Sequence, residues 1–181
     1  MSGSALHLPP VWDTERLRLR LWREDDAEAL YPLASDPEIG PRCGWVPHKS
    51  VEDSREVLRR VLMKENTWAV TEKGSDRSIG SLGVFPTDFG AGSGQPEIGY
   101  WLGRAYWGRG YIPEAVREVI SLCFESGAQT VWCAHFVGND RSRRVIEKCG
   151  FRYRAPERFT GADGAEHEAL YYSIDREEWE R

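Results

Sequence analysis

The chain contains 181 residues, of which 40% are hydrophobic and 29% are charged, and it carries a formal net charge of -5 at pH 7. This length and composition fit one globular core and exclude an extensively disordered chain. The negative charge excludes a general nucleic-acid binder, which needs many Lys and Arg contacts to phosphate, and no run reaches the roughly 20 apolar residues of a membrane span.

The N-terminal segment, residues 1–13, is predicted to be a flexible arm. Its SGS tripeptide and its two consecutive prolines oppose regular structure, and it lacks the apolar stretch of a secretion signal. We expect the remainder, residues 14–181, to form a single domain, because the sequence contains no internal repeat and no linker. The protein is expected to stay in the cytoplasm.

The sequence of the first half of this domain predicts one strand, two helices and three further strands. In TERLRLRLW, at residues 14–22, leucine alternates with arginine at the period of a half-buried strand. A short helix broken by Pro32 follows, then an irregular loop over residues 37–50, and then a helix that begins at Ser50. The segments TWAVTE, SIGSLGVF and EIGYWL come next, separated by turn residues, and predict an antiparallel meander.

The second half alternates helices with strands. PEAVREVISLCFESG has Pro113 in its first turn and Gly127 at its end, which is typical of a helix, and the strand QTVWCAHFV follows it. NDRSRRVIEKCG is predicted to be a further helix with Asn139 or Asp140 as its N-cap and Gly150 as its C-cap, and FRYRAPERF and HEALYYSI are the last two predicted strands. The strand-helix-strand order in the middle requires at least one parallel pair, so the predicted fold class is mixed α/β.

Several kinds of site are excluded by spacing. The four cysteines are far apart and form no CxxC pair, so we expect reduced thiols rather than a disulfide framework. The cysteines and the four histidines also lack the spacing of metal ligands, so no metal site is expected. Since the sequence has neither a P-loop nor a nucleophile elbow, we expect direct transfer chemistry without a covalent enzyme intermediate.

The most informative run is WGRGYIPEA, at residues 107–115. Gly108 and Gly110 let the backbone turn sharply and expose N–H groups, and the N-terminus of the following helix favours an anion. The turn is therefore a candidate phosphate cradle, to which Arg109 and Arg104 would add positive charge. A purely structural turn is the alternative, while a dinucleotide site is disfavoured because no G-x-G-x-x-G follows a strand.

Three segments together resemble the GNAT superfamily of N-acetyltransferases, in particular its RimJ/RimL-like branch. EIGYWLGRAYWGRGYIPEA is similar to that branch's fourth strand and its W-G-x-G-Y entry into the third helix, NDRSRRVIEKCGF is similar to its fourth helix, and TERLRLRLW resembles its first strand. The resemblance covers roughly residues 14–175. It implies a GNAT fold with a mostly antiparallel sheet of six to seven strands and about four helices. The sheet would splay between the fourth predicted strand, EIGYWL, and the fifth, QTVWCAHFV.

The resemblance also implies that the protein binds acetyl-CoA. The pyrophosphate would rest on the glycine-rich turn, and the thioester would lie beside the fourth predicted strand, whose N–H groups would polarise its carbonyl. The implied cofactor-binding residues are Gly99, Tyr100, Trp101, Trp107, Gly108, Arg109, Gly110, Tyr111, Ile112, Asn139 and Ser142. The chain departs from the family pattern where Ile112 replaces a small residue and where Pro113 removes an N–H, which predicts weaker pyrophosphate binding. Asn139 is equally compatible with a simple helix cap.

An amine acceptor must lose a proton before it can attack, so a base is useful. Glu97 matches the family's acidic position and is the first candidate, with a solvent-facing or ion-paired glutamate as the alternative. His135, on the next strand, is a further candidate, although a lone histidine on a strand is more often structural. For the leaving thiolate, Ile146 replaces the family's usual tyrosine, and Ser142 is the catalytic hydroxyl that the resemblance leaves.

The predicted function is transfer of an acetyl group from acetyl-CoA to a primary amine, either a small molecule or a protein N-terminus. The acceptor site is expected to include Trp45 and His48 from the irregular loop, together with Glu97 and Tyr171. A non-catalytic module that binds acyl-CoA is the alternative, motivated by Ile146. No nucleic-acid or membrane partner is expected, and the protein is predicted to be a monomer or a homodimer.

Overall fold

The computed structural model describes residues 6–89, 92 and 94–181, and within them eight strands form one sheet. The strands are β1 (Val11–Asp13), β2 (Leu17–Leu21), β3 (Thr67–Glu72), β4 (Ser78–Pro86), β5 (Pro96–Leu102), β6 (Thr130–Phe136), β7 (Arg152–Thr160) and β8 (Glu166–Asp175). The α-helices are α1 (Ala27–Ala34), α2 (Val51–Val57), α3 (Tyr111–Glu125), α4 (Asp140–Lys148) and α5 (Arg176–Trp179). The strand order is β1-β2-β3-β4-β5-β6-β8-β7, and all neighbours are antiparallel except β5 and β6.

Local signals in the sequence explain where the helices begin. The hydroxyl of Ser50 accepts the N–H of Asp53 at 3.1 Å and caps α2, which continues beyond its last residue as a π-helical turn over Leu58–Leu62. The side chain of Asn139 accepts the N–H of Ser142 at 3.3 Å and caps α4. The predicted cap at Asn139 is therefore confirmed, and it fixes the first turn of α4 against the end of β6.

Each face of the sheet is covered by a different pair of helices. The face that carries α3 and α4 buries the larger core, which includes Leu17, Trp68, Ile98, Val116 and Ile146. The face that carries α1 and α2 buries a smaller core, which includes Trp22, Leu30, Leu58 and Ala69. Because side chains alternate along a strand, neighbouring residues of β5 serve different faces of the sheet.

The parallel pair β5–β6 is the feature that opens the sheet. Its register contains only two residue pairs, Glu97 with Trp132 and Ile98 with Cys133. Beyond them, residues 99–102 of β5 and 134–136 of β6 stay paired with their outer neighbours but not with each other. We call these two stretches, which are not hydrogen-bonded to each other, the fork. Their separation confirms the predicted splay between EIGYWL and QTVWCAHFV.

The structure corrects the predicted N-terminal boundary and the predicted strand count. Residues 11–13 form β1 on the edge of the sheet, and Leu8 and Trp12 are each 8% exposed, so the end of the predicted flexible arm is ordered. Trp12 packs edge-on against the buried Trp68, with ring centroids 5.5 Å apart, and this aromatic contact outweighs the two prolines before it. The sheet thus has eight described strands rather than six or seven, and residues 1–5 of the arm lie outside the described part of the chain.

All four cysteines are free thiols in the structure, and three of them are buried. Burial raises the pKa of Cys123 to about 12 and that of Cys149 to about 11, so both thiols stay protonated at neutral pH. No helix among the described residues is long and apolar enough to cross a bilayer.

Candidate active site

A cleft of about 1170 Å³ runs along the fork. Its walls come from β4 and β5, the glycine-rich turn before α3, the end of β6, one face of α4, the β7–β8 hairpin and the segment Gly40–Cys43. The cleft brings together most of the residues that the sequence predicted to act on a cofactor or an acceptor. The exceptions among those residues include one histidine and one arginine, described below.

The glycine-rich turn presents a group of backbone amides to this cleft. Gly108 and Gly110 have φ values of 76° and 78°, a left-handed conformation that favours glycine. Within the described part of the chain, no hydrogen bond uses the N–H groups of five consecutive residues at the start of α3. They are Gly108, Arg109, Gly110, Tyr111 and Ile112. Unpaired amides at the N-terminus of a 15-residue helix form a ready site for an anion.

Arg16 of the β1–β2 turn holds the glycine-rich turn in this orientation. Its Nη1 donates to the carbonyl oxygen of Arg109 at 2.9 Å, and its Nε donates to Glu114 of α3 at 2.7 Å. Because the C=O and N–H of a trans peptide point in opposite directions, fixing the Arg109 carbonyl on Arg16 turns the N–H of Gly110 the other way. Sequence reasoning missed Arg16, since its partners lie more than 90 residues away.

Positive charge at the cleft comes only in part from the predicted residues. Arg109 lines the cleft as predicted, with its Nη1 3.8 Å from the carboxylate of Glu72. Arg104 does not line the cleft and instead pairs with Asp36 at 3.0 Å. Three basic residues of α4 do line it: Arg141, Arg144 and Lys148. Arg141 lies over the ring of Trp107, 4.2 Å from its centroid, and so faces the glycine-rich turn. The spacing of three and four residues, which puts all three cations on one helical face, is a signal that the sequence already contained.

The hydrogen bonds of β5 decide which of its N–H groups face the fork. One bond continues the β4–β5 ladder beyond each end of β5. These bonds are Thr87 N–H to Gln95 O and Gly103 N–H to Ile79 O, both 2.8 Å. Because an antiparallel ladder bonds alternate residues to one neighbour, the odd-numbered residues of β5 bond to β4. The N–H groups of Gly99 and Trp101 therefore donate to carbonyl oxygens of β4. The N–H of Tyr100 points into the fork. Of the three donors predicted for the thioester carbonyl, only Tyr100 is thus free to act among the described residues.

Glu97 lies at the closed end of the fork and is 8% exposed. Burial raises the pKa of its carboxyl group above the usual range, while a hydrogen bond from Thr87 opposes that rise. No ion pair to Glu97 occurs among the described residues, so the solvent-facing and ion-paired alternatives do not apply. A buried carboxylate of raised pKa is a better proton acceptor than an exposed glutamate.

Tyr100 and Ser142 meet across the other side of the cleft. The phenol of Tyr100 points to the face of α3 and α4, where burial raises its pKa well above the usual range. Ile146, at the position of the family's usual tyrosine, is fully buried in the core below. The proton-bearing groups that the structure places here are therefore the two hydroxyls of Tyr100 and Ser142.

The two candidate histidines are both engaged in structural contacts. His48 does not line the cleft: its ring bonds to the hydroxyl of Ser54 at 2.8 Å, and its backbone N–H bonds to Ala34 at 3.0 Å. His135 contacts the cleft, but its two ring nitrogens lie 2.9 Å from the carbonyl oxygen of Phe136 and 3.3 Å from the hydroxyl of Tyr172. These contacts place neither ring beside Glu97.

The other predicted acceptor residues do line the cleft. Trp45 packs edge-on against Trp101, with ring centroids 6.0 Å apart. Tyr171 stacks on Phe89 at 4.5 Å, and burial, together with the nearby charge of Glu97, raises the pKa of its phenol to about 12. Trp107 bonds through its indole N–H to the carbonyl oxygen of Leu102 at 2.8 Å, and it supports the turn between β5 and α3.

Comparison with known proteins decides the family. The sequence profile of a family described as an acetyltransferase (GNAT) domain matches residues 16–152. The chain belongs to the GNAT acetyltransferases. The predicted family is thereby confirmed, and this GNAT chain also resembles individual proteins along much of its length.

Two bacterial relatives and one crystal structure illustrate that likeness. The chain is 36% identical over 118 residues to p20, an uncharacterised N-acetyltransferase of Bacillus licheniformis, which covers 62% of this chain and 65% of p20. It is 26% identical over 172 residues to YoaA, an uncharacterised N-acetyltransferase of Bacillus subtilis, covering 91% of this chain and 96% of YoaA. A GNAT-family acetyltransferase from Bacillus anthracis shares the fold, with a TM-score of 0.78, 24% identity, and coverage of 92% and 99% of the two chains.

GNAT acetyltransferases take their acetyl group from acetyl-CoA, and the residues of this cleft fit that molecule. The free amides before α3 suit a diphosphate, and the space in front of them is open. No atom lies within 4 Å of a Cβ placed on Gly108, and the nearest atom to one on Gly110 is a guanidinium nitrogen of Arg16, at 3.4 Å. The fork offers the N–H of Tyr100, and the cationic face of α4 lies along the same cleft.

Proposed function

We propose that the protein transfers the acetyl group of acetyl-CoA directly to a primary amine, either a small molecule or a protein N-terminal α-amino group. The observation that carries this proposal is the position of Glu97, a buried carboxyl group without an ion-pair partner in the described chain, at the closed end of the fork. The free N–H of Tyr100 and the free amides before α3 open on the same cleft.

Each of these groups has a distinct task. Acetyl-CoA, when bound, supplies an activated thioester. Five backbone amides, from Gly108 to Ile112, would hold its diphosphate, and the N–H of Tyr100 would donate to the carbonyl oxygen as negative charge develops there. This donor is fixed in the strand, so it needs no reorganisation during the reaction.

Protons move at two places in the proposed reaction. Glu97 accepts a proton from the amine, directly or through one water molecule, as the N–C bond forms. The C–S bond breaks, and the departing sulfur takes a proton from the hydroxyl pair of Ser142 and Tyr100, which are 2.8 Å apart. Glu97 releases its proton to solvent, and the hydroxyl pair regains one, so the protein returns to its starting state.

The test combines binding with turnover. Isothermal titration with acetyl-CoA should give a 1:1 complex, and a thiol-release assay over a panel of primary amines should detect transfer with at least one of them. Lack of acetyl-CoA binding would refute the proposal. Binding without transfer to any amine would also refute it and would favour a non-catalytic module that binds acyl-CoA.

A further inference from the structure

Four aromatic residues line the cleft on the face of the sheet that carries Glu97. Phe85, Phe136, Phe159 and Tyr171 line the cleft together with Ala134 and Ala169, and we call these six residues the aromatic chamber. Strand register places them on the same side of the sheet as Glu97, the side of α1 and α2. Ala134 pairs with Tyr171, Phe136 with Ala169, Phe159 with His167, and Glu97 with Trp132. The two alanines on adjacent strands leave space between the aromatic walls.

A short segment of the irregular loop closes the chamber from above. Residues 40–44 end at Gly44, whose carbonyl oxygen accepts the N–H of Asp163 at 3.1 Å from the β7–β8 turn. The carbonyl oxygen of Arg42 accepts the side-chain amide of Asn139 at 3.5 Å. A Cβ on Gly44 would lie 3.0 Å from the ring of Phe136, so the segment rests directly on the chamber wall. The segment is therefore held over one side of the chamber by two hydrogen bonds.

The charges around the chamber favour a cation of small size. Glu97 is buried and has no cationic partner among the described residues, whereas Arg42 at the edge is paired with Glu38 at 3.0 Å. The aromatic walls offer few hydrogen-bond partners: the polar side-chain atom that they contribute is the phenol of Tyr171. A peptide would bring several N–H and C=O groups into this space, and each one left unpaired would weaken its binding.

We propose that the acceptor is an arylalkylamine, a small primary amine on a flat apolar body, which binds in the aromatic chamber with its amino group at Glu97. This inference rests on the proposed transferase function and specifies its acceptor. The ring would pack against the aromatic walls of the chamber, and the ammonium group would approach the buried carboxyl group of Glu97.

The first experiment compares three acceptors in the thiol-release assay: 2-phenylethylamine, ethanolamine and a Ser-Ala-Ala tripeptide with a free N-terminus. We expect kcat/KM for 2-phenylethylamine to exceed both others by at least about tenfold, the factor that corresponds to 1.4 kcal/mol of added apolar contact. A higher kcat/KM for ethanolamine or for the tripeptide would overturn the inference and would leave the transferase proposal standing.

The second experiment removes one wall of the chamber. Phe159→Ala should raise KM for 2-phenylethylamine at least about fivefold and leave KM for ethanolamine within about twofold, because only the ring contact is lost. Tyr153→Ala is the matched control, since it removes an aromatic side chain from the same strand, 51% exposed and outside the cleft. Equal effects of the two substitutions would contradict the inference.

A binding measurement separates this inference from the proposed function. Titration of 2-phenylethylamine into the protein with saturating coenzyme A should give a complex that Phe159→Ala weakens and Tyr153→Ala does not. Binding of the amine without any acetyl transfer would confirm the chamber and refute the transferase. Transfer to other amines without binding of 2-phenylethylamine would refute the aromatic chamber as the acceptor site and would support the transferase proposal.

Discussion

The phenol oxygen of Tyr100 lies 2.8 Å from the hydroxyl oxygen of Ser142, which joins the open half of β5 to the first turn of α4. The same phenol lies 3.3 Å from the carbonyl oxygen of Ser142, to which it can donate. Because burial raises the pKa of Tyr100 well above the usual range, the pair keeps both protons at neutral pH. We therefore propose that the two hydroxyls act as one donor unit on the cleft.

Removing either hydroxyl should slow the release of coenzyme A. We expect Ser142→Ala to lower kcat at least about tenfold and to leave the Kd for acetyl-CoA within about threefold, because a proton donor acts in the transition state. Tyr100→Phe should have a similar effect, and the double variant should be little slower than either single one. The measurements are thiol-release kinetics and titration with acetyl-CoA.

Ser121→Ala is the control for this pair, because Ser121 is a serine of α3 whose hydroxyl bonds to the carbonyl oxygen of Arg117 and which does not line the cleft as the structure describes it. Its kinetics should match those of the unmodified protein. Multiplicative losses in the Tyr100 and Ser142 double variant would show that the two hydroxyls act independently.

Replacing Glu97 with Gln should change the pH dependence of transfer. Glu97 acts as a base only above its raised pKa, and an acceptor amine needs that base only below the amine's own pKa. The ratio of wild-type to variant kcat/KM should therefore be largest between these two pKa values and should fall on either side of that window. An identical pH profile in the variant would show that Glu97 takes no part in proton transfer.

The same substitution should stabilise the fold at neutral pH. A carboxyl group whose pKa is raised on folding binds more protons in the folded state than in the unfolded state. Its ionisation therefore lowers the free energy of unfolding at pH values above the folded pKa. Below the ordinary pKa of 4.5 the group is protonated in both states, and this cost is absent. We expect Glu97→Gln to raise Tm at pH 7, by about 2–4 °C for each kcal/mol recovered, and to have little effect below pH 4. Calorimetry at both pH values is the measurement, and a lower Tm at pH 7 would contradict it.

A side chain on the glycine-rich turn should weaken acetyl-CoA binding. Gly110→Val forces a branched residue into a left-handed conformation and places its Cβ 3.4 Å from the Arg16 guanidinium that orients the turn, so we expect the Kd to rise at least tenfold, about 1.4 kcal/mol. Gly74→Val is the matched control, since Gly74 also has a positive φ, 86°, and open space around it, but lies in the β3–β4 turn. Equal losses of affinity in the two variants would show that the turn has only a structural role.

Arg16 should matter for binding without touching the ligand. Arg16→Gln removes the donor that holds the Arg109 carbonyl oxygen, so the amides before α3 lose their orientation and the Kd for acetyl-CoA should rise about three- to tenfold. Arg18→Gln is the control, because Arg18 is an exposed neighbour whose guanidinium forms its ion pair with Asp13, away from the glycine-rich turn. Unchanged affinity in Arg16→Gln would refute this positioning role.

The sequence predicted the parts of this molecule that depend on local pattern. Alternating leucines indicated β2, and the glycines before Pro113 indicated an anion-binding turn at the start of α3, because both signals lie within ten residues. The direction of the Tyr100 N–H could not be predicted from the sequence, because it depends on the register of β4 against β5. The engagement of His48 with Ser54, and of Arg104 with Asp36, likewise depends on contacts that only tertiary packing creates.

The N–H of Tyr100 that faces the fork belongs to the main chain, so an ordinary point mutation, proline excepted, cannot delete it. The side chains of the aromatic chamber lie on other strands, and point mutations can replace them. Under the proposed function, substitutions in the chamber can therefore change the acceptor amine while the main-chain donor of Tyr100 is kept. Because the main-chain donor and the chamber side chains lie on different strands, mutations in the chamber offer a way to change acceptor specificity without altering that donor.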